Sequence, residues 1–254
     1  MARWKGVALT LVGVVATVWL ALDGGLGLYI HPRYFGFTAA MAVLGGAAAI
    51  VALALAPRPG EADDPDAAHG SGGPADAPSA RRRGAVLGAW GAVLLVATAV
   101  VALLAVPPAA LTSRTAVQRD IDRTTADLAG DAPSLRGADP ASFTLKDWAL
   151  LLRQNDDPSV FAGQEPELVG FVTPAPGDPD DAFYLARFTI TCCAVDAQPI
   201  GVPVHLPGWR ERFAVDDWVR VSGAFGQDPA GGTGLVLLPA ELDQVEQPEQ
   251  PYVY

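Results

Sequence analysis

Three long apolar runs constrain this chain more than any other feature of its sequence. Residues 6–22, 35–56 and 84–106 contain no charged side chain. A helix needs about 20 residues to cross the hydrocarbon core of a bilayer, and each run is close to that length. The mean hydropathy of the chain is +0.26, and 50% of its residues are hydrophobic. We therefore predict a membrane α-helical N-terminal region with three transmembrane helices.

The first apolar run also resembles the core of a signal peptide, because Arg3 and Lys5 precede it. No A-x-A cleavage site stands before Asp23, and the run is longer than the apolar core of a typical signal. We expect an uncleaved membrane span.

The basic residues predict how the spans are oriented. Of the seven Lys and Arg before residue 107, six lie at the N-terminus or in residues 57–83, and the seventh is Arg33. Residues 57–83 are rich in Pro, Gly and Asp, so we expect a disordered loop. The positive-inside rule places this loop and the N-terminus in the cytoplasm. The protein is then a multi-pass plasma-membrane protein whose C-terminal domain is extracytoplasmic.

The short loop between the first two runs contains Tyr29, His31 and Arg33. Aromatic and basic side chains are frequent where a helix leaves the bilayer. We expect these three residues to lie at an interface, with the lipid bilayer or with a partner subunit.

The C-terminal half is polar and acidic, in contrast to the apolar N-terminal half. Residues 107–254 carry ten Lys and Arg against 22 Asp and Glu. This negative charge repels phosphates, so we expect no nucleic-acid partner.

The chain then divides into two spans with an external turn (1–56), a cytoplasmic loop (57–83), a third span (84–106), a juxtamembrane stalk and linker (107–141) and a folded domain (142–254).

The folded domain has the pattern of one helix followed by strands. Thr144 is a candidate cap for a helix over Leu145–Gln154, which would bury Leu145, Trp148, Leu151 and Leu152. Short segments rich in β-branched and aromatic residues follow. Five short strands and one helix predict a C-terminal α+β domain with a small OB-like β-barrel. The predicted strands are 168–173, 183–193, 202–206, 218–225 and 235–238.

The chemically distinct motif is the adjacent pair Cys192 and Cys193, the two cysteines of the chain. Their number and adjacency exclude a disulfide scaffold and a four-cysteine zinc site. If strand 183–193 persists, Cys192 faces the core and Cys193 is the more exposed. Three interpretations stay open: buried structural thiols; a metal site with Asp196 and His205; and redox chemistry that includes a vicinal disulfide. The cofactor is unknown, with zinc as the candidate.

Known catalytic motifs are absent from the sequence. It has no phosphate-binding glycine loop, nucleophile elbow or HExxH motif. Its three histidines are scattered. We therefore expect a non-enzymatic protein.

Four motifs of the chain match those of one known family. They are Tyr29-Ile30-x-x-Arg33, Arg187-Phe188-x-Ile190-x-Cys192-x-Ala194-x-Asp196, Trp218-Val219-x-Val-x-Gly and the terminal Pro251-Tyr252-Val253-Tyr254. Through these motifs the chain resembles the YcgQ-like bacterial membrane proteins, an uncharacterised family of permease subunits. The resemblance implies an accessory subunit of a membrane permease similar to arsenical exporters (ArsP-like). The alternative is an extracytoplasmic membrane protein that binds zinc or copper through Cys192, Cys193 and Asp196. The oligomeric state stays open.

Overall fold

The described residues of this computed structural model fall into two compact units. The first contains the described residues up to Leu26 and those from Arg33 to residue 101. The second contains Gly27–Pro32 and the described residues from 111 to the C-terminus. The structure describes residues 2–55, 111–128, 132–135, 139–178, 180–232 and 234–254, with the isolated residues 94, 97, 98 and 101.

Two apolar helices make up most of the described part of the first unit, α1 (Ala2–Leu22) and α2 (Phe35–Ala54). The hydroxyls of two threonines in α1, Thr10 and Thr17, donate hydrogen bonds of 2.9 and 2.8 Å to carbonyls four residues earlier. These two hydroxyls are thus satisfied within the helix.

One described segment, Pro32–Ala52, is long and apolar enough to cross a membrane. Its mean hydropathy is 1.9 and 6% of it is buried. The apolar helix Gly6–Leu22 is shorter. The third predicted span, 84–106, and the predicted loop, 57–83, lie outside the described residues except for four isolated positions. The number of spans and their orientation stay predictions.

The second unit contains a closed five-stranded β-barrel, which confirms the OB-like fold prediction. The order around the barrel is β1-β2-β3-β5-β4, and β4 returns to pair with β1. All neighbours are antiparallel except β3 and β5, which are parallel. This is the Greek-key order of OB barrels. The strands are β1 (Glu167–Pro174), β2 (Ala182–Thr189), β3 (Gln198–His205), β4 (Trp218–Gln227) and β5 (Leu235–Gln244).

The barrel encloses the main hydrophobic core, and one amphipathic helix packs against it. Helix α5 (Leu145–Gln154) begins at a capping box in which Thr144 and Asp147 exchange side-chain-to-backbone hydrogen bonds. Its residues Leu145, Trp148, Leu151 and Leu152 are buried, as their helical spacing predicts. The Trp148 ring lies 5.3 Å from that of Phe225 on β4, so the helix joins the core of the barrel.

A second hydrophobic cluster is separate from the main core and includes residues of β1 and β2. Helices α3 (Ser113–Arg119) and α4 (Ile121–Leu128) contribute Ala116 and Ile121 to it. Gly201 on β3 lies beside α4, and a Cβ there would be in ordinary contact with Ile121, 3.4 Å away. Within the predicted juxtamembrane stalk, residues 113–119 and 121–128 are therefore helical and pack on the barrel.

The C-terminal residues complete this second cluster. Strand β6 (Tyr252–Val253) pairs in parallel with the end of β2, and Tyr252 is 3% exposed. The Arg187 guanidinium on β2 donates hydrogen bonds to the carbonyls of Gln250 and Pro251 at 2.6 and 3.2 Å. The chain end is thus held beside the end of β2.

At Gly223 we expect even a substitution by alanine, which adds one methyl group, to destabilise the barrel. It follows a register shift between β4 and β5, and a Cβ there would lie 2.2 Å from the Leu238 carbonyl oxygen and 2.9 Å from the Pro239 Cα. We expect Gly223→Ala to lower the free energy of unfolding by about 1–3 kcal/mol, because both clashes are with backbone atoms. Thermal unfolding of the full chain in detergent, followed by fluorescence of buried tryptophans, measures this. Gly177→Ala is the matched control, since its Cβ would meet no atom within 4 Å. An equal melting temperature for both variants would contradict the prediction.

Candidate metal centre after strand β2

The adjacent cysteines lie in a turn that follows β2. The strand ends at Thr189, and a short 3-10 helix, Ala194–Asp196, begins five residues later. Cys192 is exposed and Cys193 is partly exposed. The predictions of a strand through both cysteines and of a buried Cys192 are therefore wrong. The physical reason is that the Asp196 carboxylate accepts hydrogen bonds from backbone N–H groups that a continuing strand would have used for pairing.

The Asp196 carboxylate holds this turn together. Its Oδ1 accepts a hydrogen bond from the Thr191 N–H at 3.0 Å. Its Oδ2 accepts from the N–H groups of Cys192 at 2.8 Å and Cys193 at 3.4 Å. Partial desolvation opposes ionisation, but bonds from the Cys192 thiol and these N–H groups outweigh it and lower the pKa of Asp196. The turn therefore contains a fixed, ionised carboxylate beside two thiols.

The two thiols are free and close to each other. The Cys192 and Cys193 sulfurs lie 3.5 Å apart, within hydrogen-bonding distance. Hydrogen bonding to Asp196 and then to Cys193, together with slight desolvation and the negative charges nearby, raises the pKa of Cys192 to about 12. Without a metal, Cys192 is thus held as a thiol that donates to the carboxylate.

These three side chains form a set of potential metal ligands. One atom from each of Cys192, Cys193 and Asp196 lies within 4.8 Å of the other two. Two thiolates on a tetrahedral zinc would have sulfurs about 3.8 Å apart, given Zn–S bonds of about 2.3 Å. The observed 3.5 Å is close to that value. Sulfur and carboxylate donors suit zinc, and three protein ligands leave a fourth position open to solvent.

Residues far away in sequence hold the turn from outside. Ile30 and Cys193 form an antiparallel β-bridge. The Ala194 N–H donates to the Tyr29 carbonyl at 2.8 Å, and the His31 N–H donates to the Cys192 carbonyl at 3.0 Å. Two of the predicted interface residues, Tyr29 and His31, are therefore brought to the cysteines.

The third predicted interface residue, Arg33, belongs to the first unit, where its guanidinium lies 4.8 Å from the centroid of the Tyr34 ring.

His205, predicted as an extra ligand, does not join this set among the described residues. It is the last residue of β3, whereas Asp196 lies two residues before the first. Eight strand residues span about 23 Å, so the strand itself separates the two side chains. The His205 Nδ1 lies 3.6 Å from the Asp228 Oδ1 instead.

Arg119 is a residue of this centre that the sequence did not reveal. From the end of α3, its guanidinium donates hydrogen bonds to the carbonyls of Ala197 and of Val195, the latter at 3.2 Å. It thereby holds the segment that carries Asp196. The sequence around Arg119 contains no motif, and the contact spans more than 70 residues, so no local pattern could have found it.

The barrel also has a cleft of about 640 Å³ beside β2 and β3, between the β1–β2 and β4–β5 loops. OB domains bind oligonucleotides and sugars on this face. Here helices α4 and α5 border the cleft, and the Tyr184 hydroxyl donates to Asp122 within it. The charges that line it disfavour a polyphosphate ligand. They are the carboxylates of Asp122, Asp156, Asp178 and Asp228 and the guanidinium of Arg153.

Comparison with known protein families gives a match for the C-terminal part of the chain. Residues 136–254 match the model of the DUF1980 C-terminal domain. This range contains the barrel, helix α5 and the cysteine turn. No curated protein matches the chain significantly. No solved structure matches it significantly either.

The raised pKa of Cys192 predicts an unreactive thiol despite its exposure. A cysteine of ordinary pKa is partly thiolate at pH 8, whereas a thiol with a pKa of about 12 is almost wholly protonated. Asp196→Asn removes the carboxylate whose hydrogen bond with the Cys192 thiol most raises this pKa, so the pKa falls and the thiolate fraction at pH 8 rises. We expect alkylation of Cys192 by iodoacetamide to become at least about tenfold faster. Fragment-resolved mass spectrometry on the metal-free full chain measures the rate. Asp156→Asn, which removes an exposed carboxylate outside the turn, should leave it unchanged. An unchanged rate in Asp196→Asn would contradict the prediction.

Proposed function

We propose that this protein is a non-enzymatic accessory subunit of a membrane permease, and that its OB-like domain binds a metal ion outside the cytoplasm. The metal-binding part of the proposal is carried by one observation. Two thiols and an ionised carboxylate converge within 4.8 Å on a turn that faces solvent.

The chemistry of these donors favours zinc or copper(I) over calcium or magnesium. Thiolates are soft ligands, whereas calcium and magnesium take oxygen donors. The partly exposed ligands leave room for a solvent molecule or a donor from another protein. A site of this kind suits an ion that is exchanged more than an ion that holds a fold together.

The membrane part of the proposal is supported by the apolar segment Pro32–Ala52, of which 6% is buried. An apolar helix that is so little covered needs lipid or another apolar surface around it. The resemblance of the motifs at Tyr29–Arg33 and Arg187–Asp196 to YcgQ-like proteins favours a permease as the partner. The distribution of Lys and Arg favours a multi-pass topology with the C-terminal domain outside.

Direct measurement of bound metal tests the first part of the proposal. We expect full-length protein, purified in detergent under reducing conditions and loaded with zinc, to retain about one equivalent per chain after dialysis. The double variant Cys192→Ala/Cys193→Ala should retain less than about a tenth, because a lone carboxylate binds zinc poorly. His205→Ala is the control, since His205 lies outside the set of ligands, and it should bind as the wild type does. A wild type with less than about a tenth of an equivalent of both zinc and copper would refute metal binding.

Purification from native membranes tests the second part. A tagged full-length copy, extracted in mild detergent, should co-purify with a polytopic permease at a fixed ratio. A truncated chain that begins at residue 109 lacks both apolar helices and should lose that partner. A full-length protein that migrates as a lone monomer from cells that contain the permease would count against the subunit role.

A further inference from the structure

The segment Gly27–Pro32 has an unusual position for a short connection between two apolar helices. In sequence it links α1, which ends at Leu22, to α2, which begins at Phe35. In the structure it belongs to the same compact unit as the barrel. We call Gly27–Pro32 the connecting segment.

Four contacts join the connecting segment to the cysteine turn and to the chain end. Two are the backbone hydrogen bonds on either side of the Ile30–Cys193 bridge. The third is a hydrogen bond of 3.1 Å from the Tyr252 hydroxyl to the Leu28 carbonyl. The fourth is a ring contact between His31 and Tyr254, whose centroids are 4.5 Å apart.

The bridge acts directly on one of the proposed ligands. Its hydrogen bonds use the carbonyl of Cys192 and the N–H of Ala194, so Cys193 and Ile30 form a non-hydrogen-bonded antiparallel pair. In such a pair the Cα atoms are about 4.5 Å apart and the side chains are neighbours. The direction of the Cys193 side chain therefore depends on the connecting segment.

We infer that the connecting segment is a positioning element of the metal centre, and that metal binding and the pairing of this segment with the cysteine turn stabilise each other. The inference rests on the proposed function, because it requires a metal at Cys192, Cys193 and Asp196. A metal that fixes Cys192 and Cys193 also fixes the backbone groups that the bridge uses. Linkage then requires that the bridge raises metal affinity by the same factor as metal strengthens the bridge.

The consequence reaches the apolar helices through the chain itself. The connecting segment is joined covalently to α1 and α2 within a few residues on each side. The occupancy of the metal centre therefore sets how freely the connection between these helices moves. An accessory subunit with this property can report the presence of metal to its membrane segments.

The variant Ala194→Pro weakens the bridge between Ile30 and Cys193 with little disturbance to the cysteine turn. Ala194 is the first residue of the 3-10 helix, a position that proline favours, and its N–H donates to Tyr29. Cys193 before it already has the extended backbone that precedes proline, with φ of −156° and ψ of 167°. The variant removes one bridge hydrogen bond and keeps all three ligands. Val195→Ala is the matched control, because the Val195 side chain is 83% exposed.

The first measurement needs no variant. Hydrogen exchange of the full-length wild type in detergent micelles is followed by mass spectrometry, with and without zinc. We expect zinc to slow exchange of the peptide that contains residues 27–32 by at least about fivefold. Zinc bound in full with no change in that peptide would overturn the inference and leave the proposed metal binding intact.

The second measurement is the zinc affinity of the variants, by competition with a chelating dye. We expect Ala194→Pro to bind zinc at least about fivefold more weakly than wild type, and Val195→Ala to match wild type. The zinc-dependent protection of residues 27–32 should be lost in Ala194→Pro alone. Equal affinity and equal protection in a folded Ala194→Pro would overturn the inference. A wild type that binds no zinc would overturn the proposed metal binding, and the inference with it.

Discussion

The Asp196 carboxylate accepts hydrogen bonds from three consecutive backbone N–H groups, and the geometry of the cysteine turn depends on this one interaction. A strand would have placed Cys192 and Cys193 on opposite faces of the sheet. Instead the carboxylate gathers residues 191–193 around itself, so both thiols lie beside it. The same carboxylate that stabilises the turn also raises the pKa of Cys192, mainly by hydrogen bonding with its thiol, and completes the set of potential ligands.

This arrangement has a consequence for metal binding. Binding requires thiolates, so a proton must leave Cys192 as the metal arrives. The carboxylate opposes that loss in the free protein, and the metal charge reverses the effect once it is bound. Affinity should therefore rise with pH across the physiological range. A centre of this kind binds less tightly than a site with preformed thiolates, which is consistent with an exchangeable ion.

The barrel supplies the platform on which the turn is built. The turn lies between β2 and β3, two strands that pair along eight residues and cannot shift without disturbing the core. Helix α3 adds Arg119, and the chain end adds Tyr252 beside the connecting segment. The loop that carries the thiols is thus held on several sides by parts of the chain that are distant in sequence. Such support keeps potential ligands close together before any ligand arrives.

Local patterns in the sequence determined much of the second unit. The capping residue Thr144 and the spacing of Trp148 predicted helix α5, and a segment rich in β-branched and aromatic residues from Trp218 predicted β4, in which Val219 and Val221 are buried. These features follow from interactions between residues a few positions apart, which a sequence displays directly. The count of five short strands with one helix predicted the OB-like barrel, and the pairing of the strands closes it.

Tertiary structure alone decided the details of the candidate metal centre. The sequence could not show that β2 ends before Cys192. The hydrogen bonds that end the strand go to the side chain of Asp196, and the pattern of β-forming residues does not include such bonds. Nor could it show that Tyr29 and Arg119 meet the same turn, since those contacts join residues separated by more than 70 positions. Sequence thus determined which residue types were available for metal binding. The closed barrel decided which of them meet, because strand pairing sets the distance between residues far apart in the chain.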